Sequence, residues 1–254
     1  MEPVLSLDRI TRAFHDDEGT CAALAGISFD VGKNEIVCIM GPSGCGKSTL
    51  LRIIGGLEQA DTGTVRKPSG TGRLSTTMVF QDHALFPWLS AYENIVYGLR
   101  LAAQNVPEDE LKQRAAALLS LTHLDAFAHS LPHQLSGGMK QRVSVARALA
   151  VTPDILLMDE PFSALDTFAR RELEDEVLRI RHAMKTTILL VTHNPDEAVY
   201  LADRVVILSM RPSVVTADLV IDLPCPRDPA SPNFIRLREQ VTRIVQGNAG
   251  PVPV

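Results

Sequence analysis

The nonapeptide Gly41-Pro42-Ser43-Gly44-Cys45-Gly46-Lys47-Ser48-Thr49 constrains this chain more than any other stretch. It follows the apolar run Ile36-Val37-Cys38-Ile39-Met40 and precedes Leu50-Leu51-Arg52-Ile53-Ile54, so the order reads strand, glycine-rich loop, helix. The spacing G-x-x-x-x-G-K-S is that of a phosphate-binding loop. Glycines let successive backbone N–H groups turn inward as an anion nest, and the following helix adds free N–H groups and the positive end of its dipole. Lys47 then reaches the β- and γ-phosphates of a nucleoside triphosphate, and the Ser48 hydroxyl ligates Mg²⁺. Cys45, inside the loop, reads as a small filler residue rather than a redox switch.

A chain of 254 residues can build one sizeable core or a core with an inserted lobe. Its hydrophobic share of 45% and charged share of 22% make it globular. The net charge of −5, without a basic block, argues against a nucleic-acid backbone as the main partner. No apolar run approaches bilayer length and Met1-Glu2-Pro3-Val4 does not begin a signal peptide, so the expected location is the cytoplasm. Cys21, Cys38, Cys45 and Cys225 are scattered, without a C-x-x-C pair, and read as reduced thiols.

Along the chain, Val4–Ile10 alternates as a half-buried strand does, His15 to Thr20 is a polar turn, and Ala22 to Val31 is a second antiparallel strand bent at Gly26. Phe14 either stacks on an adenine ring or covers the sheet. Lys67 to Thr77 reads as a loop, and Met78-Val79-Phe80 as a short strand ending in Gln81, whose amide is a satisfied loop group or a holder of Mg²⁺ or the attacking water. Tyr92–Leu101, Glu108–Leu121 and Leu124–His129 read as helices of an inserted lobe. Pro107 starts the second of them, and Phe86 and Trp88 either pack within the lobe or dock a partner helix.

Ser136 caps a helix that opens with Gly137-Gly138 and runs to Leu149, a second anion-binding helix start that one chain rarely turns onto the same phosphate. The economical arrangement closes it on the ATP of another copy. Without the upstream loop it would read as an ordinary cap. Ile155-Leu156-Leu157-Met158 is a central parallel strand ending in Asp159-Glu160. Asp159 there holds Mg²⁺ and Glu160 takes the proton of the attacking water. Asp166 or Thr167 caps a helix with Phe168, Leu173, Val177, Ile180 and Met184 near one face. His193 stands past the strand Thr187–Val191, placed to contact the γ-phosphate. A short helix Pro195–Ala202, strands Arg204–Ser209 and Val214–Leu223, a proline-rich connector Pro224–Pro232, a tail helix Phe234–Val245 and a frayed end Gly247–Val254 follow.

The phosphate loop, Gln81, Leu135-Ser136-Gly137-Gly138-Met139, Asp159-Glu160, Ser163-Ala164-Leu165-Asp166 and His193, in that order, resemble the ATP-binding subunit of an ABC transporter. The resemblance implies an α/β fold with a RecA-like P-loop NTPase core, an N-terminal antiparallel β subdomain and a helical subdomain at roughly residues 83–150. The ATPase domain would span 1–230 and the amphipathic helix and tail 231–254. It implies a head-to-tail homodimer, each ATP lying between one copy's loop and Ser136, Gly137 and Gly138 of the other. It makes Phe14 the adenine-stacking ring, His193 the bridge between γ-phosphate and Glu160, and Asp166 a contact with the opposite subunit. Gln81, Phe86 and Trp88 would receive an integral membrane permease subunit, placing the chain peripherally on the cytoplasmic face of the inner membrane.

Leu85-Phe86-Pro87-Trp88, Pro132-His133-Gln134-Leu135 and Arg227–Phe234 are similar to nitrate/sulfonate/taurine importer ATPases, which implies uptake of a small anionic solute delivered by a binding protein. The segment Lys67–Thr77 departs from the usual form and lacks a Pro-Gly-x-Asp-Arg run. The alternative is a soluble ATPase of this type that clamps nucleic acid or serves the ribosome. One cassette, no heptad run and an acidic balance disfavour it. A degenerate binder without hydrolysis conflicts with the intact Lys47, Asp159, Glu160 and His193.

Overall fold

A computed structural model describes residues 3–16, 19–67, 74–102 and 107–247. Along the chain run β1 (Pro3–Asp16), β2 (Gly19–Gly32), β3 (Ile36–Met40), α1 (Lys47–Ile54), β4 (Thr62–Arg66), β5 (Thr76–Val79), α2 (Ala91–Ala102), α3 (Glu108–Leu121) and α4 (Gly137–Leu149). Then follow β6 (Ile155–Asp159), α5 (Thr167–Met184), β7 (Thr187–Val191), α6 (Pro195–Leu201), β8 (Arg204–Leu208), β9 (Val215–Val220) and α7 (Pro232–Val245). The chain divides into two compact units, Met1–Leu74 with Thr187–Val254, and Ser75–Thr186.

In the first unit, β1 pairs antiparallel with both β2 and β4, placing Phe14 opposite Cys21 and Leu7 opposite Val65. Leu5, Leu7, Ile10, Ile27 and Val31 bury one face of this small sheet. Every residue of β3 and β7 is buried, as a strand covered on both faces demands. β3 lies parallel to β7 (Ile39 beside Val191) and to β8 (Met40 beside Ile207), and β9 closes the edge antiparallel to β8. α7 starts at the Ser231 cap and buries Phe234 and Val241.

In the second unit, β5 and β6 are parallel, with Val79 beside Met158. Around them lie helices whose starts are chemically marked. The Ser136 hydroxyl accepts from the Met139 N–H (3.3 Å) to cap α4, and the Asp166 carboxylate accepts from the Phe168 and Ala169 N–H groups (both 3.0 Å) to cap α5. α3 occupies the predicted span and buries Leu111, Ala115, Leu118 and Leu119, one face at i, i+4, i+7 and i+8.

Some expectations are corrected. The N-terminal strands run through the polar stretch, taking in His15, Asp16, Gly19 and Thr20, because the hairpin ladder pairs them. Residues 17 and 18 of that turn, 68–73 of the Lys67–Thr77 stretch and 248–254 of the expected frayed end lie outside the described residues. The strand before Gln81 starts two residues earlier, at Thr76, and stops at Val79. The helix expected at Leu124–His129 is a single 3₁₀ turn, Asp125–Phe127, too short to propagate, and it is cut off from α3 by His123 at φ 53°. Phe168 is 85% exposed, since five residues separate it from Leu173 and turn it off the face that buries Leu173, Val177 and Ile180.

α4 and α5 meet through charge. Arg142 Nε lies 3.0 Å from a carboxylate oxygen of the fully buried Glu176, and an Arg142 Nη lies 3.0 Å from Glu172. Burial pushes the Glu176 carboxyl up to about 7 against the pull of Arg142 and Arg179, with Glu172 adding to the rise. A carboxyl raised above its unfolded value favours the fold when protonated. That contribution is complete below the ordinary carboxyl range and is lost as pH rises through about 7. Denaturant unfolding should therefore show the protein gaining about 1 kcal/mol between pH 8 and pH 6 from this group. Glu176→Gln should remove that part of the slope, and an unchanged slope would contradict the assignment.

Candidate functional site

In the first unit the site is built at the carboxyl ends of β3, β7 and β8. The loop after β3 enters α1 through Gly46 at φ 107°, where an added Cβ would stand 2.9 Å from Leu24 Cδ2. Gly44 also has a positive φ, 75°, with open space around it. The Lys47 side chain is 6% exposed, and its ammonium donates to the Gly41 and Pro42 carbonyls at 2.9 and 3.0 Å. A cation thus stands under a loop of backbone groups at a helix start, the chemistry a polyphosphate requires. Ser48 follows on the first turn of α1, and Thr49 after it. The Ser213 hydroxyl donates to the Cys45 carbonyl, anchoring the loop to the stretch after β8. Cys45 itself is buried, as a filler residue would be.

His193 lies two residues beyond β7 and is exposed at the same strand-end layer as Gly41, because β7 and β3 are adjacent and parallel. Burial, and then the Glu197 carboxylate, push the Cys38 thiol up within this core, opposed by Lys47. Phe14 sits on β1 opposite Cys21, two residues along β2 from Ala23, whose carbonyl would lie 3.4 Å from a Cβ on Gly46. The ring is 38% exposed and carries the Arg12 guanidinium 5.0 Å from its centroid. Asp61 (2.7 Å) and Glu58 (2.5 Å) hold that guanidinium.

The second unit brings together a different set. Asp159 closes β6 and is nearly buried, and Glu160 follows in the left-handed region at φ 46°. Such a backbone persists only when its surroundings over-determine it. Here the Glu160 carbonyl accepts from both the N–H (3.2 Å) and the hydroxyl (2.9 Å) of Ser163. Gln81 lies past the end of β5, the strand beside β6, so it shares a strand-end layer with Asp159 and Glu160. Gly137 and Gly138 open α4, where an added Cβ would meet Leu165 at 3.7 Å and Ala169 at 3.6 Å. The signature glycines and the Asp166 turn are therefore neighbours, while one Asp166 oxygen serves as the α5 cap. Among the described residues, no group of three or more His, Cys, Asp or Glu could hold a metal by itself. Ser48 in the first unit, and Gln81 and Asp159 in the second, carry oxygen donors, the ligand type that Mg²⁺ takes.

The same unit has a groove of about 330 Å³ lined by Phe80, Ala84, Phe86, Tyr97, Leu101 and Arg147, among others. Phe86 packs edge-on against Tyr97 (4.7 Å) and tilted against Trp88 (5.7 Å), with Arg147 over its ring at 5.5 Å. Trp88 remains 70% exposed. Phe86 is thus packed among ring neighbours and Trp88 is presented outward.

Sequence reasoning placed Ser163 in a motif without seeing its hold on the Glu160 carbonyl, and it missed Arg12 and the segment after Gln81. There His83 and Ala84 have positive φ, His83 Nδ1 contacts the Gln141 amide oxygen, and Arg147 donates to the Ala84 carbonyl at 2.8 Å. The contacts of His83 and Ala84 join residues 58 and 63 apart, so nothing in the local sequence announces them.

A family model described as ABC transporter matches residues 24–163. The aliphatic sulfonates import ATP-binding protein of Bacillus cereus is 41% identical over 244 residues, covering 93% of this chain and 94% of that protein. An uncharacterized ABC transporter ATP-binding protein of Methanocaldococcus jannaschii is 41% identical over 250 residues, covering 97% and 92%. Among solved structures, an ATP-binding cassette captured as a dimer after hydrolysis, with ADP and Pi, is 31% identical, with a TM-score of 0.75 over 87% of this chain and all of that one. A subunit of the cbiONQ ABC transporter complex from Clostridium perfringens is 26% identical, with a TM-score of 0.76 over 97% and 98%.

The two loop glycines should respond differently to alanine. Gly44→Ala adds only left-handed strain and is expected to cost about 1 kcal/mol. Gly46→Ala adds the close approach to Leu24 as well and should cost at least about twice that. Denaturant unfolding of the two variants measures the difference, and equal costs would show that the Leu24 contact relaxes freely.

Proposed function

The chain belongs to the ABC transporter ATP-binding family, whose members are ATPases coupled to transport, and on that premise we propose that it drives an importer of a small anionic solute. The observation that supports this most directly is the complete catalytic set of Lys47, Ser48, Gln81, Asp159, Glu160 and His193, in a chain whose relatives include a protein named for aliphatic sulfonate import.

In this reading, residues 41–49 hold the ATP phosphates through backbone N–H groups and Lys47, and Phe14 stacks on the adenine. The Arg12 guanidinium lies over the same ring. Ser48, Gln81 and Asp159 would hold Mg²⁺, which would supply Lewis-acid stabilisation of charge on the phosphoryl oxygens. Glu160, aimed by its fixed backbone, takes the proton of the attacking water, and His193 contacts the γ-phosphate. Ser136, Gly137 and Gly138 of a second copy complete each site, and Asp166 contacts the opposite subunit in a head-to-tail dimer. Closure and reopening of that dimer is the power stroke.

The exposed Trp88 and the groove at Phe86, beside the Gln81 segment, receive a helix of an integral membrane permease subunit. A solute-binding protein acts through that permease. No helix among the described residues is long and apolar enough to cross a membrane. The chain on this proposal sits peripherally at the cytoplasmic face of the inner membrane. The proposed functional divisions are an ATPase domain at 1–230, with a helical subdomain at roughly 83–150 inserted in it, and the tail 231–254. The nucleic-acid alternative is disfavoured by the net charge of −5.

Glu160→Gln should bind ATP and form the dimer while hydrolysing 10²–10⁴-fold more slowly, the span expected of a positioned base. Wild-type turnover in that variant would remove Glu160 from the role. Trp88→Ala should leave basal hydrolysis unchanged and weaken co-purification with a multispanning membrane protein by about tenfold, as loss of an aromatic anchor does. Retention of salt-sensitive nucleic acid instead would favour the alternative.

A further inference from the structure

Thr192, His193 and Asn194 form the turn from β7 to α6, and both neighbours of His193 are tied to one buried carboxylate. Glu197, 5% exposed, accepts from the Thr192 hydroxyl on one oxygen and from Asn194 Nδ2 (3.2 Å) on the other. Thr192 Oγ1 in turn accepts from the Asn194 N–H at 3.0 Å, and Asn194 Oδ1 accepts from the Asp196 N–H at 3.0 Å as the cap of α6. The Thr192 N–H reaches the Ile39 carbonyl of β3 at 3.3 Å. Thr192 is buried, Asn194 half-buried and His193 exposed.

The other end of α6 is held by Arg227, from the connector before α7. Its Nη1 donates to the carbonyls of Val199 (3.0 Å), Tyr200 (3.1 Å) and Ala202 (2.7 Å). A buried guanidinium at a helix carboxyl end satisfies carbonyls that lack intrahelical partners and complements the dipole.

We propose that Glu197 is a positioning residue for His193, acting through Thr192 and Asn194, with Arg227 as the second anchor of the same helix. A histidine on a turn that must meet a phosphate has backbone freedom to lose. Fixing the backbone on both sides of it removes that cost before the substrate arrives. The buried carboxylate accepts from donors on either side of the histidine, so one side chain ties both flanks of the turn to the start of α6. The inference rests on the reading that His193 serves hydrolysis.

The test is steady-state ATP hydrolysis and equilibrium ATP binding by the full chain carrying Thr192→Val, Thr192→Ser, Glu197→Gln, His193→Ala and the double variant Thr192→Val/His193→Ala. Thr192→Val preserves shape and deletes the hydroxyl. It should lower kcat at least about tenfold, with KM and ATP affinity within about twofold. Thr192→Ser should restore kcat, Glu197→Gln should fall between, and Thr192→Val should add nothing in the His193→Ala background. Wild-type kcat in Thr192→Val and Glu197→Gln beside an impaired His193→Ala would overturn the inference alone. So would an additive loss in the double variant, or a parallel loss of kcat and ATP affinity, which marks a merely structural role. Wild-type kcat in His193→Ala would instead overturn the underlying reading of His193.

Discussion

The buried ammonium of Lys47 sets the terms for the first unit. A charge that is 6% exposed is costly to hold, and two carbonyls of its own loop are what hold it. Those carbonyls can turn inward because Gly41 and Pro42 leave β3 directly, and β3 is fixed on both sides by β7 and β8. A loop that concentrates a cation, backbone N–H groups and a helix start in one place is the chemistry that receives an anion.

The second unit solves a similar problem with carboxylates. β6 is buried along its whole length and delivers Asp159 and Glu160 at its end, where Ser163 fixes the left-handed turn of Glu160. α4 and α5 then set the signature glycines against the Asp166 turn, held by Arg142 between Glu172 and Glu176.

Much of this was legible in the residues. Uniform apolar runs marked β3, β6 and β7 because strands covered on both faces admit nothing else, and Ser136, Asp166 and Pro107 marked helix starts through their chemistry. The order of motifs pointed to the family. What escaped was set by tertiary contact. The hairpin ladder drew polar residues into β1 and β2, and Phe168 was misplaced because hydrophobicity alone ignores its five-residue offset from Leu173. Ser163 on the Glu160 carbonyl, Gln141 on His83 and Arg227 on α6 join groups whose partnership depends on backbone direction or on distant strands. No periodicity encodes such pairs.

The central claim, that one copy's phosphate loop works only with another copy's Ser136–Gly138, is tested most directly by mixing two inactive variants. Lys47→Ala disables the loop and keeps the signature, and Ser136→Phe does the reverse. Hydrolysis well above that of either parent on mixing is the predicted result, because the mixed dimer contains one intact composite site. No recovery on mixing, or a Ser136→Phe variant that turns over ATP at the wild-type rate, would contradict it.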